Sequence, residues 1–452
     1  MSRVPAPLAR RDLLRAALLV PATGAAVVTC AALGARPWRR RPPALLSEGV
    51  VIGADGVVEA IPPGLAISYA PGTRVIASAQ GTAVAAAQQQ RRDGVRLPEG
   101  RWGGLIDAAL ADLLALTGPA LDGDAAGAAD LPAGAVIAGP VGAWRYTWPR
   151  DASFAAAALS AVDLHDEALG VLTHLAGLQR SDGGFEARYD IDGDPPDDRP
   201  AQSDGAGWLL WAAHRVLVDG VGADEFDVAC GAALRRAAEK LVALTDTPSH
   251  LPAASPDYWE TPERTLTLGV AAPVLLGLEA AAALEREGID LGPSAGRMAG
   301  RAAVVRLAME RAFAPDWGRH VREEHVDAAI ALVGPPFTQA LSGAQRVRAD
   351  AVSRMRRESG GVAPGESWRD DGVSWTPETA LLAWSGVALG ADGEAGLAAE
   401  ADELLDWLVD RRTGVGALPE KVAADGSPAG PAPLAWTCSL LLLALCESDR
   451  GR

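Results

Sequence analysis

The feature that most limits how this chain can fold is a repeated helical pattern, which begins near Arg101 and continues to the C-terminus. Apolar residues recur there at intervals of three and four, the spacing of one face of an α-helix. Clusters of Gly, Pro and Asp separate the segments, as expected where helices end. The pattern predicts about twelve helices, near residues 104–117, 151–161, 164–179, 203–218, 225–245, 262–286, 295–314, 324–333, 338–357, 376–389, 395–412 and 433–447.

Short connections between these segments alternate with long ones, which contain Trp, Pro, Glu and Asp: 180–202, 247–261, 360–375 and 413–432. A toroid of six inner and six outer helices would gather such loops at one end, and function concentrates in loops on a rigid scaffold. Residues 270–284 are rich in Ala and Leu on most faces, as expected for an inner helix packed on both sides. We therefore predict an all-α fold with its site among the long loops.

Two segments of different character precede the helices. In residues 1–43, Arg10 and Arg11 are followed by twenty uncharged residues from Ala16 to Ala35, enough to span a bilayer. The paired arginines resemble a twin-arginine export signal, so we predict a membrane anchor with the rest of the chain outside the cytoplasm. Secretion after signal cleavage is one alternative, and an apolar helix packed on a soluble protein is another. In residues 44–100, short β-branched runs alternate with Gly and Pro. This pattern predicts a short β-rich extension with two to four strands and a linker, followed by a helical domain at 101–452.

Charge and cysteine content narrow the functional class. A net charge of -17 and a sequence pI of about 4.8 argue against a nucleic-acid partner, since phosphate backbones are bound by clusters of Lys and Arg. An uncharged polar substrate fits better. The four Cys and six His show no spacing typical of a zinc site, so we predict no metal and no cofactor. We expect a monomer.

The stretch Ala143 to Phe154 has the composition of a sugar-binding site. Trp144, Tyr146 and Trp148 precede the adjacent pair Arg150 and Asp151. Tryptophan combines a broad apolar face with a hydrogen-bond donor, and an arginine fork beside a carboxylate can bind several hydroxyls. Hydrolysis of a glycosidic bond also needs two carboxyl groups.

Two glutamates in aromatic or loop contexts are candidates for these carboxyl groups. Glu260 occurs in Asp257-Tyr-Trp-Glu-Thr-Pro at a predicted helix start, directly after Trp259, and Glu420 occurs in Gly416-Ala-Leu-Pro-Glu-Lys-Val. Taken alone, either residue is more typical of a surface carboxylate or a helix-terminus partner than of a catalytic group.

Five ordered motifs resemble those of glycoside hydrolase family 15, which contains glucoamylases, glucodextranases and some trehalases. The resemblance extends from about residue 100 to the C-terminus. The motifs are Arg145-Tyr-Thr-Trp-Pro-Arg-Asp-Ala, Leu178-Gln-Arg-Ser-Asp-Gly-Gly-Phe, Gln202-Ser-Asp-Gly, Tyr258-Trp-Glu, and Leu418-Pro-Glu-Lys-Val followed by Pro433-Leu-Ala-Trp436.

The resemblance implies an (α/α)6 barrel and an inverting, exo-acting hydrolase that releases glucose from the non-reducing end of an α-glucan or disaccharide. Glu260 resembles the family's general acid and Glu420 its general base. The residues expected to bind substrate are Trp144, Tyr146, Trp148, Arg150, Asp151, Gln202, Asp204, Trp259 and Trp436. Of these, Gln202 and Asp204 resemble a loop beside the leaving group.

The chain departs from the family pattern at three positions. Trp144 stands where Tyr is usual, Thr261 where many members have a second carboxylate, and Lys421 where Gln is common. These departures keep open a non-catalytic glycan-binding protein with the same barrel. A terpene-cyclase-like toroid is the other alternative, because residues 179–185 resemble the Gln-rich repeat of those proteins, although the repeat occurs once.

Overall fold

The computed structural model describes residues 42–120 and 130–450, so nearly all of the predicted signal or anchor lies outside the described residues. The helices are α1 (Ala83–Gln90), α2 (Gly103–Ala115), α3 (Pro149–Ala161), α4 (His165–Leu178), α5 (Gly205–Val218), α6 (Ala223–Phe226), α7 (Ala232–Thr245), α8 (Leu268–Arg286), α9 (Met298–Phe313), α10 (Ala344–Met355), α11 (Thr376–Ala391), α12 (Ala395–Asp410) and α13 (Ala435–Arg450). A π-helix, Asp227–Gly231, joins α6 to α7, and a 3-10 helix, Ala328–Val333, lies between α9 and α10.

Six helical segments form a closed inner ring. In ring order they are α3, α5, α8, the 3-10 helix, α11 and α13, which packs back on α3. Each has an outer partner: α4 packs on α3, α7 on α5, α9 on α8, α10 on the 3-10 helix, α12 on α11 and α2 on α13. Inner and outer segments alternate along the chain, so the predicted all-α toroid of six hairpins, an (α/α)6 barrel, is confirmed.

Three predicted helices begin several residues later in the structure, and one of them, predicted at 338–357, is α10 from Ala344. The segment predicted at 324–333 is only the 3-10 helix Ala328–Val333, which Asp327 caps by accepting a hydrogen bond from the Ala329 N–H at 2.8 Å. The segment predicted from residue 262 begins as α8 at Leu268, because the preceding residues form a loop whose carboxylates bind an arginine instead of continuing the helix. Among the described helices, α8 alone is long and apolar enough to cross a bilayer, yet most of it is buried in the ring.

An aromatic cluster fills the middle of the inner ring. The ring of Phe154 on α3 lies 5.0 Å from Trp208 and 4.9 Å from Trp211, both on α5. Its centroid is also 6.0 Å from that of Trp436 at the start of α13. Large apolar rings can fill a space that six helices leave at their common axis. Trp208 and Trp211 therefore belong to the core, and Trp436 joins that core to the pocket described below.

The segment from Pro42 to Gly100 belongs to the same compact unit as the barrel. Its strands, β1 (Gly49–Ile52) and β2 (Val58–Ile61), form an antiparallel pair, and α1 follows. A second small sheet has the order β3-β4-β5, formed by Ser374–Trp375, Lys421–Val422 and Pro428–Ala429. This second sheet pairs Trp375, just before α11, with Lys421. It therefore brings the start of an inner helix beside Glu420.

Candidate active site

A pocket of about 260 Å³ opens at the end of the barrel where the inner helices α3, α11 and α13 begin. It brings together both candidate glutamates and most of the predicted sugar-binding residues. Its lining consists of Ala138, Ala143, Trp144, Trp148, Arg150, Asp151, Arg188, Arg199, Tyr258, Trp259, Glu260, Trp375, Pro377, Glu378, Glu420, Leu434 and Trp436. Aromatic faces and converging charged groups in one concave site are typical of a ligand-binding pocket.

Glu260 is held in a backbone conformation that L-residues rarely adopt. Its φ is +54°, in the left-handed region, and its N–H donates to the Asp257 carbonyl at 2.8 Å. One Asp257 carboxylate oxygen accepts a hydrogen bond from the Trp259 N–H at 2.9 Å, which tightens the same turn. Strained conformations of this kind persist where the surroundings over-determine them, and they cluster at functional sites. The turn directs the Glu260 carboxylate into the pocket.

Both oxygens of the Glu260 carboxylate accept hydrogen bonds. The Trp148 indole N–H donates to Oε1, and the Arg199 guanidinium donates to Oε2. Arg199 also lies 3.4 Å from Asp197 in the same loop. A general acid must carry a proton on one of these oxygens, and each oxygen has a further lone pair beyond the hydrogen bond seen here.

A buried ionic network centred on Arg319 packs against the Trp259–Glu260 turn. Arg319, only 1% exposed, donates to Asp257 at 2.9 Å and to Asp327 at 3.0 Å, and its guanidinium stacks 3.7 Å from the Trp259 ring centroid. Arg319 also binds Glu263 at 2.8 Å, and Glu263 accepts a hydrogen bond from the Thr261 hydroxyl at 3.0 Å. Thr261, one of the departures from the family pattern, therefore belongs to this network.

Glu420 reaches the pocket from the loop that precedes β4. Its Oε1 accepts a hydrogen bond from the Trp144 indole N–H at 3.3 Å, and its Oε2 lies 2.9 Å from the Lys421 ammonium. Its backbone carbonyl accepts from the Thr376 N–H at 3.1 Å, which ties the loop to the start of α11. The Trp144 indole N–H is thus a side-chain hydrogen-bond donor to this glutamate.

Arg150 and Asp151 occupy the first turn of α3, with Arg150 Nη2 2.9 Å from Asp151 Oδ2. The Arg150 guanidinium lies 4.6 Å from the Trp436 ring centroid. Its Nε and Nη1 are buried without a hydrogen-bond partner, as is the Trp436 indole nitrogen. Buried donors are nearly always paired in folded proteins, so unpaired donors in one pocket mark positions for a ligand's acceptors. Burial raises the pKa of Asp151, which Arg150 opposes.

Tyr146, Gln202 and Asp204 do not line the pocket, although Tyr146 lies near Trp148, which does. The Tyr146 ring is 6.3 Å from the Trp148 ring, and the Gln202 amide donates to the Asp257 carbonyl at 3.3 Å. Asp204 accepts from the Trp208 indole at 3.0 Å, and burial raises its pKa to about 6. Their role as direct substrate ligands stays a prediction, and the contacts seen here position other residues.

Five aromatic or charged pocket residues are missing from the sequence-based prediction: Arg188, Arg199, Tyr258, Trp375 and Glu378. Tyr258 precedes Trp259 in a motif already recognised. Trp375-Thr-Pro-Glu378 repeats a feature of Trp148-Pro-Arg150, namely a tryptophan followed by a proline in the first turn of an inner helix. That repeated signal could have identified Trp375 and Glu378.

No protein-family model matches this chain, and the curated proteins contain no match. Solved structures with the same fold include a glucoamylase from Saccharomycopsis fibuligera, with a TM-score of 0.62 and 14% identity over 79% of this chain and 98% of that one. A glycoside hydrolase family 15 glucoamylase from Hypocrea jecorina has a TM-score of 0.62 and 17% identity over 77% of this chain and 72% of its own. A glycosidase in complex with glucose has a TM-score of 0.56 and 22% identity over 70% and 92% of the two chains. The chain therefore has the fold of these enzymes.

Proposed function

We propose that this protein is an inverting, exo-acting α-glucoside hydrolase, which releases glucose from the non-reducing end of an α-glucan or disaccharide. The observation that carries the proposal is that Glu260 and Glu420, far apart in the sequence, line one pocket together with the Arg150–Asp151 pair and Trp436. The similarity in fold to a glycosidase in complex with glucose supports a sugar as ligand.

In this mechanism Arg150 and Asp151 bind hydroxyls of the terminal glucose unit through the unpaired Arg150 N–H groups and the Asp151 carboxylate. Glu260 protonates the glycosidic oxygen as the bond to the anomeric carbon breaks. Glu420 accepts a proton from the water that attacks the opposite face of that carbon. Inversion requires the two carboxyl groups to stand ~6.5–9.5 Å apart, so that the water fits between them.

Glu420 is held by groups that suit a base. The Lys421 ammonium lies 2.9 Å from one oxygen of its carboxylate, and the Trp144 indole N–H donates to the other oxygen at 3.3 Å. These contacts fix the orientation of the carboxylate before the nucleophilic water binds. The small sheet and the Thr376 N–H fix the backbone of the same loop.

A non-catalytic glycan-binding protein is the second candidate, and one observation favours it. Each glutamate has a cation against its carboxylate, Arg199 at Glu260 and Lys421 at Glu420. A pocket that had lost turnover could keep such pairs permanently, whereas an acid catalyst must gain and lose a proton at Glu260 in each cycle. Measurement of turnover separates the two.

We predict that Glu260→Gln and Glu420→Gln each lower kcat on α-linked glucosides by at least about 10²–10⁴-fold, the usual contribution of general acid–base catalysis. Glu366→Gln is the matched control, because Glu366 pairs with Arg354 outside the pocket and should leave kcat unchanged. The assay measures glucose release from a panel of starch-type, isomalto-type and trehalose substrates.

The same variants separate the two roles on α-glucosyl fluoride, whose fluoride leaving group needs no proton from an acid. Glu260→Gln should keep most of its activity on this substrate, while Glu420→Gln should lose it. Full activity of either variant on the natural linkage would remove that residue from the mechanism. No release of glucose by the wild type from any substrate would favour the binding protein.

We further propose that the chain is exported and held at a membrane by its N-terminal segment. The support is the paired arginines and the uncharged stretch from Ala16 to Ala35. The mass of the mature N-terminus distinguishes a retained anchor from a cleaved signal.

A further inference from the structure

Glu378 is a pocket residue that the mechanism above does not use. It lies in the first turn of α11, is 3% exposed, and lines the pocket beside Glu420 and Arg150. The pairing of Trp375 with Lys421 and the Thr376–Glu420 backbone hydrogen bond fix the start of this helix. The backbone just before Glu378 is therefore fixed against the segment that contains Glu420.

The charges that face Glu378 favour its neutral form. Two are carboxylates, Glu420 from the loop before β4 and Asp327 at the cap of the 3-10 helix, and one is the cation Arg150 from α3, which already pairs with Asp151. Burial is the largest effect and, with both carboxylates, raises the pKa of Glu378 to about 8. The helix N-terminus and the residue's own backbone N–H oppose this shift but are outweighed.

The Oε2 atom of Glu378 is buried without a hydrogen-bond partner. A neutral carboxyl group can donate one hydrogen bond and accept others, whereas an ionised carboxylate only accepts and Arg150 only donates. A sugar hydroxyl also donates and accepts. Glu378 thus offers the pocket a group that matches a hydroxyl in both respects.

We propose that Glu378 is a sugar-binding residue of this pocket, which uses a protonated carboxyl group to donate a hydrogen bond to a hydroxyl of the bound glucose unit. The proposal rests on the proposed function, because it takes the ligand to be a glucose unit. Its consequence is that sugar affinity depends on pH through Glu378, separately from any dependence of turnover.

The test is D-glucose binding by the full-length protein, followed by the fluorescence of the pocket tryptophans or by calorimetry. Glu378→Gln and Glu378→Met form a matched pair, since both are uncharged and similar in length but only Gln can donate. At pH 6 we expect the Met variant to bind glucose at least about tenfold more weakly than the Gln variant, as expected for a lost hydrogen bond to a buried partner. Thermal melting of both variants shows whether each is folded.

The pH dependence distinguishes a direct hydrogen bond from a packing role. For the wild type, glucose affinity should fall about tenfold between pH 6 and pH 9, because roughly a tenth of the molecules keep the proton one unit above the pKa. The Gln variant should lose this fall, since its amide donates at every pH in the range.

Equal affinities of the Gln and Met variants, a flat wild-type profile, or the same alkaline fall in the Gln variant would each overturn the proposal. Absence of any glucose binding by the wild type would overturn it together with the proposed function. The wild type could bind glucose with the expected pH dependence yet hydrolyse no substrate of the panel. That result would contradict the proposed hydrolytic function but support the proposed role of Glu378 in binding.

Discussion

Gly430 lies directly behind Glu420 and shows how closely the backbone is fitted to the candidate base. Its φ is +73°, in the left-handed region, and a Cβ added there would lie 2.6 Å from Glu420 Oε2 and 3.1 Å from Glu420 Cβ. Glycine alone combines this backbone conformation with the missing Cβ. The position of the Glu420 side chain therefore depends on the absence of a side chain at residue 430.

We predict that Gly430→Ala lowers kcat by at least about 10²-fold, because the new methyl group must push the Glu420 carboxylate away, and a misplacement of about 1 Å can cost that much. Gly426→Ala is the matched control. Gly426 also has a positive φ of +86°, in the turn of the same hairpin, but a Cβ there would meet only Arg411, at 3.5 Å.

Both alanines should lower the free energy of unfolding by a similar ~1–2 kcal/mol, the cost of the left-handed conformation for a residue with a Cβ. In addition to this loss of stability, Gly430→Ala should lower kcat, whereas Gly426→Ala should leave kcat unchanged. Equal activity of the two variants in steady-state kinetics would show that Glu420 does not need this support.

At the level of single residues, the sequence was sufficient to predict the two glutamates and the Arg150–Asp151 pair as candidates, since each stands in a short motif. Glu378 follows a tryptophan and a proline at the start of α11, a local signal that resembles Trp148-Pro149 at the start of α3 but was not used. No comparable local pattern identifies Arg199. Arg199 lies in a loop. The direction of a loop side chain depends on its tertiary contacts, because a loop lacks the regular periodicity of a helix or strand.

Among the elements, the N-terminal segment is joined to the barrel at several places. Near the site, the Leu46 N–H donates to the Gly430 carbonyl at 2.8 Å, and the Gly430 N–H donates to the Ala44 carbonyl at 2.9 Å. Farther away, Arg74 forms a buried ion pair with Asp112 on α2 and donates to the Ala108 carbonyl at 3.0 Å. The segment therefore supports both the loop behind Glu420 and an outer helix.

We predict that Arg74→Met lowers the free energy of unfolding by about 3–5 kcal/mol, because Asp112 would stay buried without its partner. Adding Asp112→Leu should restore much of the loss, since the buried charge is then removed as well. Chemical denaturation of the single and double variants measures both effects.

Arg96→Met provides the comparison for this ion pair. Arg96 pairs with Asp163 at 3.1 Å, but its side chain is 87% exposed, and exposed pairs contribute only ~0–1 kcal/mol. A loss at Arg74 no larger than the loss at Arg96 would mean that the N-terminal segment does not stabilise the barrel through this contact.

Helical periodicity located the longer helices to within a few residues, because each must present apolar side chains at a regular spacing to one neighbour or two. It overestimated the segment before α10, where apolar residues fill six positions of a 3-10 helix, Ala328–Val333, all of them buried. A short buried run has no polar face, so its period does not distinguish one kind of helix from another.

For the whole molecule, the ring of inner helices brings residues from distant parts of the chain to one end. Arg150, Glu378 and Trp436 each lie in the first turn of a different inner helix. The ring of Phe154 in the aromatic cluster lies 6.0 Å from that of Trp436, and the loops that contain Glu260 and Glu420 also line the pocket.

The central claim is that Glu260 and Glu420 act on opposite faces of the anomeric carbon of an α-glucoside. The most direct measurement is proton NMR of the first glucose released by the wild-type protein, recorded before mutarotation mixes the anomers. The proposed inverting mechanism predicts β-glucose as the initial product. Initial release of α-glucose would contradict it, because retention requires a carboxylate that attacks the sugar itself.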